Sequence, residues 1–145
     1  MTALASDRNT IQLGGDTRVE PLAAAVKVWA GSLLMRNGSG HITKGAAATG
    51  CIGVGRSEAL VDNGAGVAAA RSVEYRRGIF GFANSGATDQ IGQADIGKLC
   101  YIVDDQTVAR TDGTGTRSPA GIVDGIEGDR VWVRLDEAIT RGVIG

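Results

Sequence analysis

The chain has 145 residues, the size of one ordinary domain. Hydrophobic residues make up 43% of it but aromatics only 4%, and 23 positions are Gly, more than twice the usual share of about 7%. Fifteen cations against 16 anions leave a formal charge of −1, which excludes a nucleic-acid binder that lives on phosphate contacts.

In chain order, residues 1–20 are polar and irregular through Asp7-Arg8-Asn9-Thr10 and Gly14-Gly15-Asp16. They read as an extended arm with Leu4, Ile11 and Leu13 as scattered anchors. After Pro21, the run Leu22 to Trp29 carries Val26 and Val28, which favour a strand ending at Gly31. Leu33 to Arg36 and His41 to Lys44 flank Asn37-Gly38-Ser39-Gly40, a strong hairpin turn. Gly50 to Gly55 is a short apolar strand, and Arg71 to Phe82 is expected as one alternating strand. Thr88 to Lys98 has room for a turn or two of helix. Leu99 to Val103 and Thr107 to Arg110 make a second hairpin around Asp104-Asp105-Gln106. Gly121-Ile122-Val123, a turn over Gly125 to Asp129, and Val131 to Leu135 make a third. The expected fold is all-β, a small barrel or sandwich built of hairpins around a single thin core. The arm spans 1–20, the β domain 21–140 and a C-terminal tail 141–145.

A weak internal echo runs through this pattern. Gly31-x-Leu33 leads through a hairpin to Gly53-Val54 and closes with Val73-Glu74-Tyr75-Arg76. Gly97-x-Leu99 leads through a hairpin to Gly121-Ile122-Val123 and closes with Val131-Trp132-Val133-Arg134. Two similar β units of this kind pack as a barrel or a sandwich. Alternation in the last strand puts Val131, Val133 and Leu135 on the core face and turns Trp132 and Arg134 outward.

No motif here asks for chemistry. Gly64-Ala65-Gly66-Val67-Ala68-Ala69 matches the dinucleotide fingerprint letter for letter, but it follows a turn and lacks a βαβ setting, so it reads as a Gly-rich connection. The single His, His41, sits beside a hairpin turn without a triad around it. His41, Cys51 and Cys100 include no close-spaced ligand pair, so no metal site is expected. Both thiols lie in apolar runs and are expected buried and free. Asp104-Asp105 and Asp124, Glu127 and Asp129 sit at turns, where carboxylates usually bond their own backbone. No stretch approaches the roughly 18 apolar residues of a membrane span, and Met1 to Glu20 lacks the apolar segment of a secretory signal. All cations but Lys27, Lys44 and Lys98 are Arg, which favours interface contacts. Arg76 and Arg77, at a strand edge, are therefore candidate partner contacts. So are Leu4, Arg8, Ile11 and Leu13 of the arm and the outward Trp132. No catalytic, cofactor-binding or metal residue is expected.

Ala94-Asp95-Ile96-Gly97-Lys98-Leu99-Cys100-Tyr101-Ile102-Val103, its continuation through Asp104-Asp105-Gln106-Thr107-Val108-Ala109, Arg117-Ser118-Pro119-Ala120-Gly121-Ile122-Val123 and Val131-Trp132-Val133-Arg134-Leu135 together form a recognisable series. It resembles the late segment of head-decoration, or capsid-cement, proteins of tailed bacteriophages. Ala25 to Gly31, Ile52-Gly53-Val54 and Arg77-Gly78-Ile79-Phe80 follow the family's order in the first half, so the resemblance spans about residues 20 to 137. Gly81 to Gln93 is longer than the family's usual linker, and the N-terminal arm is long as well. The resemblance implies a non-enzymatic virion protein on the capsid exterior, assembled in the host cytoplasm. It implies a homotrimer bound to the major capsid protein, with no cofactor, no direct nucleic-acid contact and no membrane. A small Gly-rich core is consistent with such assembly, since oligomerisation supplies buried surface. The rival expectation is a ligand- or glycan-binding β module displayed on a virion, with a pocket lined by Trp29 or Trp132. An enzyme on a β scaffold comes last, because the lone His41 has no partner acid.

Overall fold

The computed structural model describes residues 2–144. Twelve strands and one α-helix follow one another among them. They are β1 (Thr17–Pro21), β2 (Val26–Val28), β3 (Leu33–Arg36), β4 (Ile42–Lys44), β5 (Ile52–Ser57), β6 (Val61–Asn63), β7 (Ser72–Arg76) and β8 (Gly78–Asn84). Then come β9 (Leu99–Ile102), β10 (Thr107–Ala109), β11 (Pro119–Glu127), β12 (Arg130–Leu135) and α1 (Glu137–Ile144). The chain is all-β, and its last five strands to pair form a closed barrel, β10-β8-β12-β11-β9.

The other five-stranded sheet, β1-β7-β5-β3-β4, has the topology of the barrel, strand for strand. The internal echo is therefore structural, and register follows it residue by residue. Leu34 pairs with Gly55 and Met35 with Gly53, leaving Val54 as the extra residue of a bulge. Cys100 pairs with Gly121 and Tyr101 with Pro119, leaving Ala120. Arg56 faces Arg76 as Ile122 faces Arg134. Gly31 and Gly97 enter the units with φ of +89° and +87°, and each donates its N–H at 2.8 Å, to Ser57 O and Val123 O. The barrel closes where β10 runs parallel to β8 at Val108 and Asn84. The first unit closes at one equivalent parallel bridge, Leu22 to Ile42.

The buried side chains fall into two clusters, not the single core expected. Leu22, Val28, Leu34, Ile42, Val54, Val73 and Tyr75 fill the first unit, floored by the ribbon of β2 and β6. Cys100, Ile102, Val108, Ala120, Val131 and Val133 fill the barrel, joined there by Leu33 and Met35. The reason lies in β3, whose three successive apolar residues cannot share one face. Leu34 points into the first unit, while Leu33 and Met35 point out of it and are buried by the second.

Glycines let the two units approach. A Cβ on Gly53 would stand 2.1 Å from the Ala120 carbonyl oxygen, and one on Gly45 2.9 Å from that of Asp104. The barrel carries Pro119 and Thr111 at the equivalent positions, so these two glycines of the seam have no glycine counterpart on it. Across the seam, Leu33 N–H donates to Asp105 O (2.8 Å), Cys51 N–H to Ser118 Oγ (3.1 Å), and Ser118 Oγ–H to Ala48 O (2.7 Å).

Several expectations change in detail. Arg71 to Phe82 is two strands in two sheets, because Gly78 (φ +144°) redirects the chain after Arg77. The arm ends early, since Thr17 to Glu20 pair with β7. The tail at 141–145 is not separate: Arg141 to Ile144 close α1, and Gly145 lies outside the described residues. Asp136 caps that helix, its Oδ1 accepting the N–H groups of Ala138 and Ile139 at 3.1 and 3.2 Å. Thr88 to Lys98 holds two short 3-10 turns, Ala87–Asp89 and Gln93–Asp95.

Candidate functional site

The arm residues singled out by sequence share one property: nothing covers them. Leu4, Ile11 and Leu13 are 72%, 89% and 67% exposed, and Arg8 is exposed beside them. Where the arm meets the body it is held by Arg77, whose N–H donates to Asp16 O (2.8 Å) and whose guanidinium donates to Gly15 O (3.0 Å). Arg76 is exposed at the end of β7, opposite Thr17 of β1. Trp132 faces out of the barrel and is half-buried, with the Arg130 guanidinium 5.5 Å from its ring centroid. The structure thus gathers Arg76, Arg77 and the arm's root at one place and puts Trp132 on the barrel wall.

An open cleft of about 480 Å3 lies at that root. Gly15, Asp16 and Arg77 line one side, and Ile79, Arg134 and Asp136 the other. The start of α1 therefore borders the same cleft as the start of the arm. Sequence reading missed the helix and with it a second apolar surface. Ile139, Val143 and Ile144 are 44%, 57% and 49% exposed, whereas Thr140 is the helix residue that is buried. The i, i+4 spacing of Ile139 and Val143 was the available signal.

The charges that hold α1 are shared with the first unit. Arg36 donates to both carboxylate oxygens of Glu137 (2.9 and 3.1 Å) and pairs with Glu20 of β1 at 2.6 Å. Donating these hydrogen bonds to Glu137 raises the Arg36 pKa above its ordinary value. Burial pushes the Glu137 carboxyl up, but the hydrogen bonds from Arg36 and Arg141 outweigh it and hold the group below the usual carboxylate range. A second cluster pins the loop before β11. There Asp89 accepts the Thr111 hydroxyl and pairs with Arg117 at 3.3 Å, which lowers its pKa.

No constellation for catalysis assembles among the described residues. His41 stands at the hairpin turn, where its N–H donates to Asn37 Oδ1 (3.0 Å). No group of three or more His, Cys, Asp or Glu residues suited to a metal ion occurs among the described residues. Cys51 and Cys100 are free thiols, and burial pushes Cys100 up to about 12. The Gly64 to Ala69 segment is a turn whose shape is set by Asn63, which donates its side-chain amide to Ala23 O and Val67 O. No helix follows it, so the phosphate-cradling reading has no geometry behind it. No helix among the described residues is long and apolar enough to cross a membrane. No family model matches the chain, and neither does any curated protein or solved structure.

Proposed function

We propose that the chain is a capsid decoration protein of a tailed bacteriophage. In this reading a homotrimer binds the outside of the major capsid protein shell and reinforces the head. It performs no chemistry; it clamps neighbouring capsomers against the pressure of packaged DNA.

The observation that carries the reading is the uncovered arm on an anchored root. Three spaced aliphatics stand in water on a segment whose base is fixed by Arg77 and which runs straight into an edge strand, β1. Leaving such groups in water forgoes about 1.5–3 kcal/mol per large aliphatic side chain, which docking on a partner recovers. Strand addition suits the geometry, with backbone hydrogen bonds giving affinity and alternate side chains giving specificity. The resemblance of the strand patterns from Ala94 to Leu135 to those of the decoration family is what suggests the major capsid protein as the partner. The two-unit body, with many short hairpins and a rigid seam, suits a spacer that must hold its shape under load.

The test is addition of purified chain to heads that lack it, followed by imaging. Density for a trimer on the outer surface at local three-fold positions is the expected result. Failure of the chain to bind heads at any ratio would overturn the reading.

A further inference from the structure

The seam between the two units carries an open cleft of about 380 Å3, lined by Trp29, Ala30, Gly31, Ser32, Asp105 and Gln106. Its residues come from both units, the connection into β3 on one side and the β9–β10 turn on the other. The size lies within the range of ligand sites, about 300–1,000 Å3. The indole of Trp29 is 54% exposed and is steadied by the Lys27 ammonium, 4.4 Å from the ring centroid. An exposed ring that lines a cleft offers apolar area to a ligand.

The polar side of the cleft is fixed before any ligand arrives. Leu33 N–H donates to Asp105 O at 2.8 Å, Gln106 N–H to Asp104 Oδ1 at 2.9 Å, and Ala83 N–H to Gln106 O at 2.8 Å. Ser32 Oγ–H donates to Asp105 Oδ2 at 3.3 Å and itself accepts Trp29 N–H at 3.3 Å. These bonds engage the turn's backbone and one carboxylate oxygen. Asp105 Oδ1 and the Gln106 carboxamide take part in none of these bonds, and both residues line the cleft together with Trp29. Gly31, at φ +89°, has nothing within 4 Å of where a Cβ would stand, so the approach is clear.

An aromatic platform beside a fixed carboxylate and a carboxamide fits a pyranose. The apolar C–H face of the sugar stacks on the indole, and adjacent hydroxyls donate to the carboxylate and exchange hydrogen bonds with the amide. We propose that this cleft binds a neutral sugar ring of a glycan. Of the charged groups here, Asp105 lines the cleft and the Lys27 ammonium stands at the Trp29 ring, so the two offset each other and favour a neutral ligand. Trp132 has no such setting: it is half-buried and does not line the neighbouring cleft at Gly81, Glu127 and Arg130. The site is independent of capsid binding and can stand or fall without it.

The experiment is an NMR titration of the full-length chain with neutral gluco-, galacto- and N-acetylglucosamine oligosaccharides into the millimolar range. The Trp29 indole N–H and the Gln106 side-chain amide are expected to shift together and saturate with at least one of them. Trp29→Ala and Asp105→Asn are each expected to weaken that binding tenfold or more, with amide spectra unchanged away from the cleft. No saturable shift with any neutral sugar would overturn the proposal. So would binding that persists undiminished in Trp29→Ala.

Discussion

Gly55 and Gly121 hold the same position in two copies of one β unit, each pressed against the backbone of the unit's closing strand. A Cβ on Gly55 would lie 2.6 Å from Arg76 O, and one on Gly121 2.2 Å from Arg134 O. Both contacts are to carbonyl oxygens in a sheet, which cannot swing aside as a side-chain tip does. Gly55→Ala and Gly121→Ala are each expected to destabilise the fold by about 2–3 kcal/mol through overpacking. Gly121→Ala should be the worse, since its contact is the closer. Denaturant unfolding of both variants checks the ranking, and equal stability to the parent in either would contradict the shared constraint.

The faces of β12 make a second prediction. Val131, Val133 and Leu135 are fully buried, and Trp132 lies on the opposite face. Val133→Asp buries an unpaired carboxylate inside the barrel and should abolish folding. Trp132→Ala removes only a half-covered ring and should leave the monomer folded while weakening association with a partner. Circular dichroism and light scattering on the two variants distinguish these outcomes. Unfolding by Trp132→Ala with Val133→Asp intact would mean that the faces are reversed.

The hairpins were legible because their turns are written in local chemistry. Asn37 Oδ1 accepts the N–H groups of Ser39 and His41, and Gly40 supplies φ +86°, all within one tetrapeptide and its neighbour. The repeat was visible as an echo because Val-x-Val or Val-x-Tyr strands and the paired glycines recur at matched places. What was not legible depends on distant partners. The break between β7 and β8 is set by which sheet each strand joins, and alternation runs on through it. The two cores hide in Leu33-Leu34-Met35, a run that gives no periodicity. The arm's last residues become a strand only because β7 offers an edge. The Trp29 cleft needs Asp105 and Gln106 from 76 and 77 positions further along the chain, a juxtaposition made only by the seam.

Thiol chemistry follows from burial. Cys100 is fully buried inside the barrel and its pKa is pushed up to about 12, so almost no thiolate exists at neutral pH. Cys51 is partly exposed; burial raises its pKa too, and a hydrogen bond from the Ser118 side opposes that. Ellman's reagent at pH 8 should titrate Cys51 slowly in the native protein and reach Cys100 only after unfolding. Two rapidly reacting thiols would show that the barrel opens readily.

The attachment of α1 gives a pH dependence with a definite sign. Glu137 has its folded pKa below the ordinary glutamate value of about 4.3, so its contribution to stability is complete above that value. It is lost as pH falls through the depressed folded value, and Asp89 acts in the same direction. Stability should therefore be flat from neutral pH down to about pH 5 and fall below about pH 4. Arg36→Met takes the shared cation from Glu20 and Glu137, and should lower neutral-pH stability by about 1–2 kcal/mol, the partial exposure keeping it small. The acid limb should flatten in that variant, because Glu137 loses Arg36, the stronger of the two hydrogen-bonding cations that lower its pKa. An unchanged acid limb in Arg36→Met would show that the pair does not hold the helix.

The last prediction separates the arm from the body. A deletion reaching residue 19 would remove most of β1 and expose the edge of β7, so its effects could not be assigned to the arm. Deleting residues 2–14 instead keeps Gly15 and Asp16, whose carbonyls accept from Arg77, and keeps every strand. The removed side chains are all exposed, so the melting temperature should stay within about 2 °C of the parent, less than a change of 1 kcal/mol produces in a domain of this size. Under the decoration reading, occupancy on heads should fall several-fold, because Leu4, Ile11 and Leu13 no longer dock. Single substitutions refine the result: Ile11→Ser and Leu13→Ser should each reduce occupancy, with Arg8→Ala acting mainly through the rate of association and its salt dependence. Full occupancy after the 2–14 deletion would make the arm a bystander and move the docking surface to the exposed faces of α1 or the barrel wall at Trp132.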